Sequence, residues 1–159
     1  MKHVVVQAEN GGNFLDPRPY LKLLPTFAQN LPPGARAFAT DAAHYDFVGQ
    51  RCVKDLAPET VLHGETAGER WLELRFRHNC WKHEENLVIR YAGVSDVLPA
   101  SSCHPPTWQE RNAVTLDEIL PHDHGCTQEI CFLSGSLTIT SRDLTATWVE
   151  ADCPDKPHN

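Results

Sequence analysis

Between Arg70 and Arg77 the chain alternates, with Leu72, Leu74 and Phe76 on one side and Glu73, Arg75 and Arg77 on the other. Side chains of an extended strand point to opposite faces in turn, so this pattern predicts a strand with one buried face. Asn86–Ala92 repeats the pattern through Leu87, Ile89 and Tyr91. The polar run 78–85 between the two predicts a hairpin loop joining antiparallel neighbours. Further along, Gln128–Leu133, Ser136–Thr140 and Leu144–Val149 predict a three-strand meander, with turns at Ser134-Gly135 and Arg142-Asp143. Ile130 and Phe132 share one face there, and Glu129, Cys131 and Leu133 the other. The expected core is Leu72, Leu74, Phe76, Leu87, Ile89, Tyr91, Leu137, Ile139 and Trp148.

The first third of the chain reads differently. Residues 3–8 form a β-branched run that predicts a strand, followed by a turn at Asn10-Gly11-Gly12-Asn13. Asp16-Pro17 has the composition of a helix start, and Tyr20, Leu23, Leu24 and Phe27 then recur at helical spacing. Pro25 bends or breaks that helix, and Pro32-Pro33-Gly34 ends it. Ala35–Thr40 predicts a strand, residues 41–47 a turn or a single helical turn, and Cys52-Val53 and Thr60–His63 short strands. Gly64–Gly68 reads as a loop, Leu116–Leu120 as one helical turn or an extended entry, 99–112 as a mobile loop, and 152–159 as a polar tail. The fold class that follows is mainly β, or α+β: an antiparallel sheet or sandwich with one short N-terminal helical segment, in a single domain over residues 1–159.

Composition narrows the function classes. Twelve prolines in 159 residues favour short elements and turns over a helical bundle. The net charge of −7 and the pI near 5.6 argue against nucleic acid, whose binders carry a basic stripe. No apolar stretch is long enough to span a bilayer, and the short Val4–Val6 run is not a secretory signal. These readings predict a cytoplasmic protein with no membrane partner. Its six cysteines would there be reduced, and most would serve as small buried apolar residues. Their spacings contain no CxxC pair.

Two clusters carry candidate metal chemistry. The first is His122-Asp123-His124-Gly125-Cys126, with Glu129 on the next strand. On an extended chain two imidazoles two residues apart face the same side, and imidazole and thiolate are donors that zinc prefers. The competing reading is an exposed polar loop. The second cluster is His78, Cys80 and His83, in the expected hairpin loop. Strand parity carries His78 inward, so a core histidine bonded to a carbonyl competes with a ligand. The candidate cofactor at either cluster is zinc or another divalent transition metal.

The segment Leu120–Gly135 resembles the first cupin motif, with its His-x-His pair, a Glu a few residues on, and a Gly in the following turn. The resemblance implies a metal held by His122, His124 and Glu129 with a later histidine, for which His158 is the candidate. Cys126 is a further potential donor. Separately, His44–Phe47, Arg51–Leu56, His78–Val94 and Leu116–Trp148 resemble parts of uncharacterised bacterial proteins of this size, a likeness that implies no activity. No nucleophile elbow, phosphate-binding glycine loop or dinucleotide fingerprint is present in the sequence.

Three functional expectations follow. The first is a non-catalytic binding or interaction module with a protein partner, similar in character to toxin-neutralising immunity proteins. The second is a β-domain with a His/Cys metal site. The alternative is a cupin-like enzyme using His122, His124 and Glu129. No residue pattern specifies an oligomeric state.

Overall fold

The computed structural model describes residues 1–100 and 107–153 of the chain. A two-residue turn at Asn10-Gly11 joins β1 (Val5–Glu9) to β2 (Gly12–Asp16). Gly11 has φ +99°, the left-handed backbone that such a hairpin turn needs. The helical segment follows as α1 (Arg18–Phe27), a 3₁₀ turn and α2 (Pro33–Ala39). The remaining strands, β3 (Ala57–Thr66), β4 (Glu69–Arg77), β5 (Glu85–Ala100), β6 (Val114–His122), β7 (Gly125–Phe132) and β8 (Gly135–Glu150), form one antiparallel six-stranded sheet. Its order is β3-β4-β5-β8-β7-β6.

The two central strands, β5 and β8, pair along nearly their whole length, with a register shift between Val94 and Asp96. Gly93, at φ +62°, lies beside that irregularity. Bulges of this kind bend a sheet and increase its twist. β4 flanks one half of β5, and β7 flanks the opposite half of β8. The inner faces of the two halves meet: Tyr91 Oη donates to Gln128 Oε1 at 2.6 Å, and Trp108 stands edge-on to both Phe76 and Phe132. The outer edges also approach. Asp55 N–H donates to the Val114 carbonyl, and Val114 N–H to the Leu56 carbonyl.

The helices and the N-terminal strand cover what the sheet leaves open. An edge strand exposes unpaired carbonyls that invite another chain. On β6, Tyr45 Oη and Tyr20 Oη donate to the carbonyls of Asp117 and Ile119, at 3.1 and 2.8 Å. On the opposite, outward face of the sheet, Glu118 accepts the backbone N–H groups of Lys2, His3 and Val4. Glu129 pairs there with the Met1 ammonium at 2.6 Å.

The expected hairpin is present: β4 and β5 pair from Trp71↔Ala92 to Phe76↔Leu87, with the loop at 78–84 between them. Every residue of the expected core is buried except Trp148, which is half-buried against it. Four expectations are corrected. Ala35–Thr40 is helical rather than extended, because Pro33 occupies the first helical turn, where its missing N–H costs nothing, and starts α2 instead of stopping α1. Asp143 supports that helix from outside, accepting Gly34 N–H at 3.1 Å and Ala35 N–H at 2.9 Å. Arg142-Asp143 is therefore no turn, and β8 runs straight through it. Cys52-Val53 is not a strand, and Gly64–Thr66 extends β3 where a loop was expected. Leu116–Leu120 takes its extended alternative within β6, and Thr60–His63 is a strand as expected, the middle of the ten-residue β3. Of the segment read as mobile, 101–106 lies outside the described residues, 99–100 ends β5, and Gln109–Arg111 forms a 3₁₀ turn.

Among the described residues no helix is long and apolar enough to cross a membrane.

Candidate functional site

The β4–β5 loop builds the site. His78 continues the inward parity of Leu72, Leu74 and Phe76 and is buried. The chain then reverses, with the Asn79 carbonyl accepting both Lys82 N–H and His83 N–H, and Asn79 Oδ1 accepting Trp81 N–H. This reversal folds Cys80 back onto His78, at 3.4 Å between Sγ and Nε2. On the neighbouring strand, Glu150 at the end of β8 pairs with Glu85 at the start of β5. The chain beyond Glu150 therefore emerges beside the loop, and Cys153 forms a disulfide with Cys80. Donor atoms of His78, Cys80 and Cys153 all lie within 4.8 Å of one another.

The tautomer of His78 is fixed by its surroundings. Asn86 Oδ1 lies 2.9 Å from His78 N and 2.9 Å from His78 Nδ1. The backbone N–H can only donate, so the Asn86 atom is the oxygen. An oxygen can only accept, so Nδ1 carries the proton and Nε2 presents its lone pair to the sulfurs. A histidine that ligates a metal through one nitrogen is held in this way at the other.

His83 takes another course. Its Nε2 donates to the Cys52 carbonyl at 2.9 Å, and its Nδ1 accepts Asn79 N–H at 3.1 Å. Both nitrogens are committed, and the ring stacks near Trp148. Burial lowers its pKa, which keeps the ring neutral. His83, rather than His78, for which that role was the competing reading, is the core histidine bonded to a carbonyl, and it does not join His78 and Cys80.

A surface cleft opens beside the sulfurs, lined in part by Asp55, Arg77, His78, Cys80 and Trp81. Trp81 is 98% exposed at the tip of the loop.

The other cluster is dispersed. His122 closes β6 and His124 sits in the two-residue turn before β7, so the chain reverses where an extended segment was expected. Gly125 allows this reversal: φ is +136°, and a Cβ there would meet the Ser141 and Arg142 carbonyls. Both imidazoles are exposed. His122 Nδ1 accepts His124 N–H, and His124 Nε2 donates to the Gly93 carbonyl. Cys126 is buried beside Ser141, and burial pushes its thiol up to about 11. Glu129 faces outward, as the parity of Ile130 and Phe132 requires, and is engaged by Met1. His158 lies outside the described residues. Among the described residues, the donor atoms of this cluster do not gather into a metal-sized group.

The disulfide corrects the expectation that the cysteines are all reduced. Cys52, Cys126 and Cys131 are free, and burial raises the thiol pKa of each. Cys103 lies outside the described residues.

A second polar constellation escaped the sequence reading. His44 Nδ1 donates to the Phe38 carbonyl, and its Nε2 lies 2.6 Å from Asp117 Oδ1. Asp117 Oδ2 accepts Gln128 Nε2 at 2.6 Å, and Gln128 in turn accepts Tyr91 Oη. All four side chains are buried. The network is satisfied from end to end and joins α2, β6, β7 and β5.

Compared with protein-family models, curated proteins and solved structures, the chain matches none.

Proposed function

We propose that this chain is a small non-catalytic binding module that holds a zinc-class ion at His78, Cys80 and Cys153 when the two cysteines are reduced. The observation that carries the reading is the fixed tautomer of His78, whose Nε2 lone pair faces Cys80 Sγ at 3.4 Å while Asn86 holds Nδ1. One neutral imidazole and two thiolates suit zinc, and the two negative charges balance the cation. A fourth position remains for water or a further donor. The metal would tie the chain beyond β8 to the β4–β5 loop and fix the loop that presents Trp81. A rigid loop with an exposed indole suits a protein partner, because ordering costs are met before contact. In the cytoplasm the cysteines would be kept as thiols and available to the metal.

The test is metal titration of the fully reduced, metal-free protein. Cobalt(II) should bind at one per chain, produce a thiolate charge-transfer band, and be displaced by zinc. His78→Ala and Cys80→Ser should each remove that band. Absence of stoichiometric binding by the reduced protein would overturn the reading.

A further inference from the structure

We propose that Cys80 and Cys153 form an ordered thiol–disulfide switch, in which Cys80 attacks a small-molecule disulfide, Cys153 resolves the adduct, and closure discharges the metal. The last step rests on the metal reading given above. The first two rest on the surroundings of the two sulfurs.

The cysteines are unequal. Cys80 is half-buried and lines the surface cleft, whereas Cys153 is 8% exposed and does not line it. Thiol–disulfide exchange requires the attacking sulfur to reach the disulfide in line, so access sets which thiol reacts first. Arg77 and Trp81 also line the cleft, as does Asp55, whose carboxylate is paired with Lys54 and Lys82. A cationic and aromatic wall suits a low-molecular-weight disulfide that bears carboxylates, the class to which oxidised glutathione belongs. The other free cysteines described, Cys52, Cys126 and Cys131, do not line this cleft.

The chemistry closes without another reagent. Cys80 thiolate attacks one sulfur of RS–SR, forming Cys80–S–SR and releasing RS⁻. Cys153 thiolate then attacks Cys80 Sγ, forming the Cys80–Cys153 bond seen here and releasing a second RS⁻. Two electrons pass from the cysteine pair to the small disulfide. From the reduced apo-protein, the two thiol protons end on the two RSH products. From the metal-loaded protein, two protons come from solvent and the divalent ion leaves. The sulfurs cannot bond to each other and act as two thiolate ligands at once, so disulfide and metal exclude each other.

The experiment uses the full chain, reduced and loaded with Zn²⁺, with oxidised glutathione as the probe. Zinc release is read with a chromophoric chelator and disulfide formation by intact mass after alkylation. Zinc should leave in step with closure of the Cys80–Cys153 bond. In a zinc-free arm, Cys153→Ser should accumulate a glutathione adduct on Cys80, located by peptide mapping. Cys80→Ser should modify Cys153 roughly ten-fold more slowly, following access. Equal adduct rates at the two cysteines would overturn the ordered switch, whether or not zinc binds. A closed disulfide with zinc still bound at one per chain would overturn the exclusion. Failure of the reduced wild type to bind zinc would defeat the metal reading and the discharge step with it, and the adduct order would still decide the switch.

Discussion

His44 Nε2 lies 2.6 Å from Asp117 Oδ1, and neither side chain is more than 1% exposed. Burial alone would pull the histidine pKa down. The Asp117 charge, its hydrogen bond and the Phe38 carbonyl outweigh burial, and the net shift is upward from 6.5. The other groups facing the ring region are Asp41, close in sequence, and the stacked Tyr45. A group whose folded pKa is raised contributes stability that is complete below its unfolded value and is lost as pH rises through the folded one. Breaking a buried pair by removing one partner costs about 3–5 kcal/mol. His44→Ala should therefore destabilise by that amount at mildly acidic pH, and the difference from wild type should shrink as pH rises above the ordinary histidine value. Denaturant midpoints of both proteins across that window test the sign. A difference that grows with pH would show that the buried ring is neutral.

Asp143 is the tertiary cap of α2. Its carboxylate accepts two N–H groups of that helix across the gap from β8 and also accepts Leu144 N–H. Losing a capping carboxylate costs about 0.5–2 kcal/mol. Asp143→Ala should lower stability within that range, and Asp143→Asn should recover part of the loss by keeping an acceptor oxygen. Equal losses in the two variants would assign the effect to charge alone.

Leu74→Ala should cost about 2–5 kcal/mol, since a fully buried leucine leaves a cavity on truncation. Leu74 is 1% exposed and faces Ile89 across the strand pair. Glu73, next to it, points to the other face and pairs with Arg75 and Arg90. Chemical denaturation of the variant measures the cost, and a loss below about 1 kcal/mol would contradict the packing.

The same alternation explains how much of the fold was legible. β4 and the first half of β5 place their large buried apolar residues on one face, so period two survives in their sequence even though Glu73 on the other face is also buried. β8 was legible only in pieces, because two polar residues in its middle have tertiary causes. Arg142 pairs with Glu69, and Asp143 serves a helix more than a hundred residues earlier. A polar dipeptide with long-range partners looks, locally, like a turn. α2 was misread for a related reason: Pro33 can end one helix or begin another, and the deciding cap lies on a distant strand. At the site, strand parity placed His78 inside, and the loop's polarity suggested the reversal that brings Cys80 back. Cys153 was not legible, because it lies 73 residues from Cys80 and meets it only through the pairing of β5 with β8. His122 and His124 looked sharper in sequence than His78 and Cys80, yet their spacing carried no information about the turn that separates them.

That contrast yields the last prediction. If the metal is held at His78, Cys80 and Cys153, then His122→Ala combined with His124→Ala should leave its stoichiometry unchanged. Those two rings are exposed and engage only local or backbone partners. Asn86 should matter instead, although its side chain does not reach the sulfurs as a donor. It fixes the Nδ1 proton of His78 and therefore the direction of the Nε2 lone pair. Losing such an orienting partner typically weakens metal affinity by about 10–100-fold. Asn86→Ala should show that loss by competition titration of the reduced protein against a chelator. Asn86→Asp, which keeps an acceptor oxygen, should retain most of the affinity. Loss of metal from the His122/His124 double variant, with Asn86→Ala unaffected, would move the site to the β6–β7 turn.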